Sequence, residues 1–235
     1  MKPMNKYGLF LLGVLAFASC KKDNYDAPSS QLTGRVVYQG EQLGFEQNQV
    51  TFELYQSGFG KTGPMGSTFK QDGTLNALLF NGTYKMIVPN GQGPFIWPKT
   101  ASGAPDSLVI NVNGSQSIDI NVTPYYMIRN LQINGSSSTV TAKFDLEQIA
   151  TGADAKEVEE VALFVNKTDF VSNSGDHKMR EQKKPASDFP GLTNISLNAE
   201  VPSVTPAQNY MFVRVGVKID GVEDWLYSQV QKITY

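Results

Sequence analysis

One cysteine and one histidine stand in a chain of 235 residues, and each scarcity removes a class of chemistry. Cys20 alone cannot close a disulfide within the chain or supply a cysteine cage for zinc. His177 alone leaves multi-histidine metal sites without ligands, and any histidine-based triad would have to use it. It lies in "NSGDHKMREQKK", a charged run that reads as a solvated loop, with none of the orienting partners that catalysis uses. Positive charge is in slight deficit: 20 Lys and Arg face 22 Asp and Glu. Non-specific nucleic-acid binding needs clustered basic side chains to displace counterions, so that class drops out. Phosphate loops, dinucleotide fingerprints and EF-hand spacing are missing, and no cofactor or metal is expected, although a calcium site of loop carboxylates needs no fixed spacing. Carboxylates such as Asp106, Asp145, Glu147, Glu157, Glu160 and Glu223 are present, but none sits in a recognisable catalytic motif. Glycoside hydrolysis would need two of them roughly 5–9.5 Å apart, one with a raised pKa. The expectation is a non-enzyme with no catalytic residue.

What is present begins at the amino terminus. Lys2 and Lys6 form a short positive region, and an apolar run follows from Tyr7 to Ala18. The run falls short of the roughly 20 residues that span a bilayer, so residues 1–19 read as a signal peptide. Phe17-Ala18-Ser19-Cys20 resembles the bacterial lipobox, with Phe17 where leucine is usual. That resemblance implies cleavage before Cys20 and acylation of that cysteine, and two or three acyl chains make a stable anchor. Residues 20–30, polar and without periodicity, read as a flexible tether. Asp23 and Asp26 resemble part of an acidic export signal. The implied location is the outer membrane, lipid-anchored and facing the cell exterior.

Helical periodicity is nearly absent from the rest. Short β-rich runs alternate with Gly, Asn, Asp and Pro punctuation, from Leu32–Tyr38 to Trp225–Thr234. Around a dozen such runs predict an all-β protein of two tandem β-sandwiches, each about 100 residues. The boundary is placed in "NVTPYY", giving domains 31–123 and 124–235. In "YMFVRVGVKID", Met211, Val213, Val215, Val217 and Ile219 fall on one face and Phe212, Arg214 and Lys218 on the other. This predicts an antiparallel strand with one buried face. Residues 167–192 read as a long irregular loop, functional or disordered. Asp72-Gly73 and Asn81-Gly82 read as hairpin turns.

The first domain carries "LTGRVVYQGEQLG" and "TFKQDGTLNALLFNGTYKMIV", and resembles the carboxypeptidase-regulatory-like, transthyretin-type sandwich. Gly34, Val36, Thr68, Asp72, Gly73, Gly82, Tyr84 and Val88 carry that resemblance. The second resembles immunoglobulin and fibronectin type III sandwiches through "YMFVRVGVKIDGVEDWLYSQVQKI". The combination resembles a family of two-domain surface lipoproteins of Bacteroides-type bacteria, unresolved in mechanism and associated with polysaccharide-utilisation loci. The resemblance implies a role in glycan capture or contact with an outer-membrane receptor, and supplies no functional residues.

The aromatic residues give the remaining candidates. In "NGQGPFIWPKTASGAP", Phe95 and Trp97 lie between Pro94 and Pro98. An aromatic on a stiff segment can stack on the apolar face of a sugar at low entropic cost, or it can pack within or between the domains. Tyr125, Tyr126, Trp225 and Tyr227 pose the same choice. The functional expectation is a membrane-anchored protein that binds glycan or a receptor protein. The alternative is a structural or adhesion module binding another protein, and a glycoside-active enzyme ranks last.

Overall fold

The computed structural model describes residues 26–58 and 63–235. The signal-peptide segment 1–19, Cys20 and the first part of the tether lie outside the described residues. The described chain is all-β and forms two tandem sandwiches. In the first, β1 (Ser30–Tyr38) pairs with β2 (Glu41–Gln42) and β5 (Thr74–Leu79), and runs parallel to β9 (Gln116–Asn121). The facing sheet has the order β4 (Met65–Thr68), β3 (Thr51–Gln56), β6 (Gly82–Ile87), β8 (Leu108–Val112). Leu32, Val36, Phe52, Phe69, Tyr84 and Met86 fill the space between the sheets. Two very short strands, β7 (Phe95–Ile96) and β10 (Thr123–Pro124), pair where this domain passes into the next.

The second sandwich sets three strands against a larger sheet. β11 (Tyr126–Gly135), β12 (Thr139–Gln148) and β15 (Ile195–Glu200) form one layer. The other follows the order β14 (Arg180–Pro185), β13 (Val158–Asn166), β16 (Tyr210–Ile219), with β17 (Leu226–Tyr227) and β18 (Gln231–Thr234) on the far side of β16. This is the fibronectin-type arrangement that the closing strands of the sequence suggested.

Three expectations need correction. Asp72-Gly73 does form a turn: Gly73 has φ +80° and Asp72 Oδ1 accepts from Thr74 N at 3.0 Å. Yet β4 pairs with β3 while β5 pairs with β1, so the chain changes sheet there and no hairpin forms. Asn81-Gly82 likewise joins β5 of one sheet to β6 of the other. Turn chemistry fixes the local dihedrals and leaves the choice of pairing partner to the core.

Second, residues 167–192 are not one irregular loop. They contain β14, paired with β13, and 3-10 turns at Gly175–His177 and Ala186–Asp188. β14 reads "REQKKP" because it is an edge strand, where lysines discourage further pairing and no apolar alternation is required. Third, β16 is buried on both faces. Its predicted core set is fully covered, and so are Arg214 and Gly216 on the face expected to meet water.

Phe164, Trp225 and Tyr227 of the same domain cover that second face at Gly216, and the first domain covers it at Arg214. Apolar contacts run without a break from one sandwich into the other. Arg214, at 0% exposure, fills the junction. It donates to Phe45 O at 2.7 Å and Gln71 O at 2.5 Å in the first domain, and to Ser228 O at 2.6 Å and Val171 O at 3.3 Å in the second. Its guanidinium lies 4.5 Å from the centre of the Tyr227 ring. Burial pushes its pKa down to about 9, so the cation persists at neutral pH. Tyr227 N donates to Gly44 O at 3.0 Å, Gln71 Nε2 donates to Asp169 O at 2.7 Å, and Arg129 bridges Glu41 and Glu147. Glycine is required at position 44, since a Cβ there would lie 2.5 Å from Arg214 Nη2 and 2.6 Å from Tyr227 O.

Candidate functional site

A concave site opens at the domain junction, with a cavity of about 170 Å³. One wall is the Pro89–Lys99 segment of the first domain. The opposing wall comes from Tyr125, from Asp154 in a 3-10 turn, and from Gly221 and Val222 after β16. The glycines of "NGQGPF" let the first wall fold tightly. Gly93 has φ +80°, and a Cβ on it would stand 2.3 Å from the Phe95 ring. Its N–H donates across the junction to Asp224 Oδ2 at 2.7 Å. Burial raises the Asp224 pKa, partly offset by that same N–H.

Polar side chains line the cavity, and one of them is tethered. Gln92 Oε1 accepts from both Thr51 N (2.9 Å) and Thr51 Oγ1 (3.0 Å). The amide is thereby fixed in orientation, with its Nε2 hydrogens unpartnered among the described residues. Lys99 and Asp154 line the same cavity, and neither has an ion-pair partner among the described residues. Tyr125 is half-buried, and burial together with the Asp154 charge raises its pKa, keeping it a neutral phenol. Lys156 Nζ sits 5.7 Å from the centre of its ring.

The six aromatic candidates separate into three groups. Phe95, Trp97 and Tyr125 converge on the cavity. Phe95 is buried, and Trp97 is 8% exposed with Nε1–H donating to Asp106 O at 2.7 Å, so each offers the site only an edge. Tyr126 is a core residue whose hydroxyl donates to Lys156 O at 2.7 Å. Trp225 and Tyr227 belong to a separate buried cluster with Phe164: the Trp225 ring stands edge-on to Phe164 at 5.7 Å and stacks on Tyr227 at 6.1 Å. All three are buried and packed, and Tyr227 also borders a second cavity with Glu41, Met127 and Gln229.

Residue-by-residue reading of the sequence missed Gln92, Lys99, Asp154 and Asp224. Gln92 and Lys99 lie inside the Gly- and Pro-rich stretch that drew attention to Phe95 and Trp97. Asp154 and Asp224 carry no local signal, because docking of the second domain brings them to the site. Elsewhere, His177 stacks on Phe170 at 5.7 Å and its Nδ1 meets Ser172 Oγ at 3.1 Å, as part of a local loop structure. Of the carboxylates, Glu147 pairs with Arg129 and Glu160 with Lys183, while Asp145 accepts from Asn130 and from Asn194 N.

Fold and site together define a protein of two docked β-sandwiches, transthyretin-type then fibronectin-type, with a small polar cavity at the junction. Residues 30–123 match the protein of unknown function (DUF3823) N-terminal domain, and residues 126–232 match the domain of unknown function DUF3823_C. The chain belongs to the DUF3823 family. A solved family member from Parabacteroides merdae is 32% identical, with TM-score 0.74, covering 89% of this chain and 100% of its own. One from Bacteroides ovatus is 27% identical, with TM-score 0.71 and coverage of 88% and 99%. A structure from Bacteroides uniformis called a candidate carbohydrate-binding protein shares the fold at 18% identity and TM-score 0.62, over 88% of this chain and 100% of its own. Among curated proteins, none matches.

Proposed function

We infer that the protein is a non-catalytic, lipid-anchored surface protein that assists polysaccharide capture by binding glycan at the domain junction. The observation that carries this reading is the cavity itself, where aromatic edges from Trp97 and Tyr125 meet amide, ammonium and carboxylate groups that have no partner among the described residues. Carbohydrate sites combine an apolar surface for ring C–H groups with a few fixed polar groups for hydroxyls. The structural likeness to a candidate carbohydrate-binding protein agrees with it. Cys20 supplies the anchor, which holds the two sandwiches at the outer membrane beside the receptors that import the captured chains.

Affinity electrophoresis of the purified protein through gels containing single polysaccharides tests the binding. Retardation by at least one, lost in Tyr125→Ala, is expected; free migration through all of them would sink glycan binding. For the anchor, Cys20→Ser should move the folded protein out of the membrane fraction, and unchanged membrane association would refute lipidation.

A second reading, contact with another protein, is favoured by one observation. Leu108 and Val109 stand adjacent and exposed on β8, an edge strand of its sheet. Crosslinking in cells that recovers a protein partner through β8, with no retardation on any polysaccharide, would favour this second reading.

A further inference from the structure

We propose that the junction cavity takes a single uncharged sugar residue, with the rest of the glycan remaining outside; this rests on the glycan-binding reading above. Size sets the first limit. The cavity measures about 170 Å³, against the roughly 300–1,000 Å³ of pockets that engulf larger ligands. It has room for one six-membered ring and its hydroxyls. Phe95 and Val222, both buried, close its floor. The walls belong to two domains held by Arg214 and by the Asp224–Gly93 contact, so the cavity cannot lengthen into a groove without undocking them.

Charge sets the second limit. Donors and acceptors face each other across the cavity: Gln92 Nε2 and Lys99 on the first-domain wall, Asp154 on the second. An anionic sugar would gain from Lys99 and meet Asp154. A cationic amino sugar would gain from Asp154 and meet Lys99, with Lys156 close behind Tyr125. A hydroxyl donates and accepts at once and satisfies both walls with no uncompensated charge. Gln92 is specificity-determining in this scheme, since its tethered Oε1 leaves the side chain only donors to offer.

Titration calorimetry of the purified protein tests this, using neutral oligosaccharides of increasing length from a retained polysaccharide and matched uronic acid oligomers. A free monosaccharide should bind within about threefold of its longer oligomers, and 0.5 M NaCl should leave the affinity unchanged. Asp154→Asn and Lys99→Met, both at exposed positions where folding is not at stake, should each weaken binding about tenfold. Affinity that climbs steadily with chain length overturns the single-residue claim. Preference for uronic acid oligomers, lost in salt and strengthened by Asp154→Asn, overturns the uncharged claim. Both outcomes leave glycan binding intact, whereas no binding to any saccharide removes that reading and this inference together.

Discussion

Arg214 decides more at the scale of single residues than any other side chain. A fully buried guanidinium with no carboxylate partner among the described residues is tolerated because four backbone carbonyls take its hydrogens, two from each domain. Removing a buried charged donor strands the groups it satisfied, at a cost of about 3–5 kcal/mol. Arg214→Met should therefore lower stability by that order in urea unfolding, while a loss below about 1 kcal/mol would show that the junction does not depend on it. Asp224 behaves differently. Its folded pKa is raised, so between the ordinary carboxylate value and that raised value the folded state binds more protons than the unfolded. Stability from this group accordingly falls as pH rises through that window. Asp224→Asn keeps an acceptor for Gly93 N–H without the buried charge. It should match or exceed the parent in stability at pH 7 and flatten this part of the acid-range dependence. Thermal melts across pH 4–7 check the sign, and a variant clearly less stable at pH 7 would contradict it.

The Pro89–Lys99 segment is where local chemistry and site meet at the scale of elements. Gly93 is in the left-handed region and packed against Phe95, so Gly93→Ala combines backbone strain with a ring clash. The expected result is a loss of about 1–3 kcal/mol with altered Trp97 fluorescence; an unchanged melt and spectrum would mean that the segment adapts freely. Much of this element was legible. Its glycines and prolines announced a stiff, tight loop, while Phe95 and Trp97 left sugar stacking and packing both open. The alternation of β16 was legible too, down to each core residue from Met211 to Ile219. The burial of Arg214 was not, because an alternating strand says which face meets its own sandwich and nothing about a second domain on the other face. β14 escaped for a related reason, since charge on an edge strand resembles charge on a loop. Asp154 and Val222 could not be tied to Trp97 from the sequence, because docking alone brings them together.

The two sandwiches behave as one body at the scale of the whole molecule. Continuous apolar packing, the Arg214 carbonyl cluster and the ion pair from Arg129 to Glu41 span the junction. Differential scanning calorimetry should show a single transition whose calorimetric and van't Hoff enthalpies agree, and Arg214→Met should split or broaden it. Two well-separated transitions in the parent protein would mean the domains are independent. Rigidity matters to the cavity because each domain supplies only one of its two walls. The most direct measurement is hydrogen–deuterium exchange of the full protein with and without a polysaccharide that retards it. Protection is predicted at residues 89–99, around Tyr125 and Asp154, and at 221–222. Protection confined to other surfaces, with these segments unchanged, would contradict a glycan site at the domain junction.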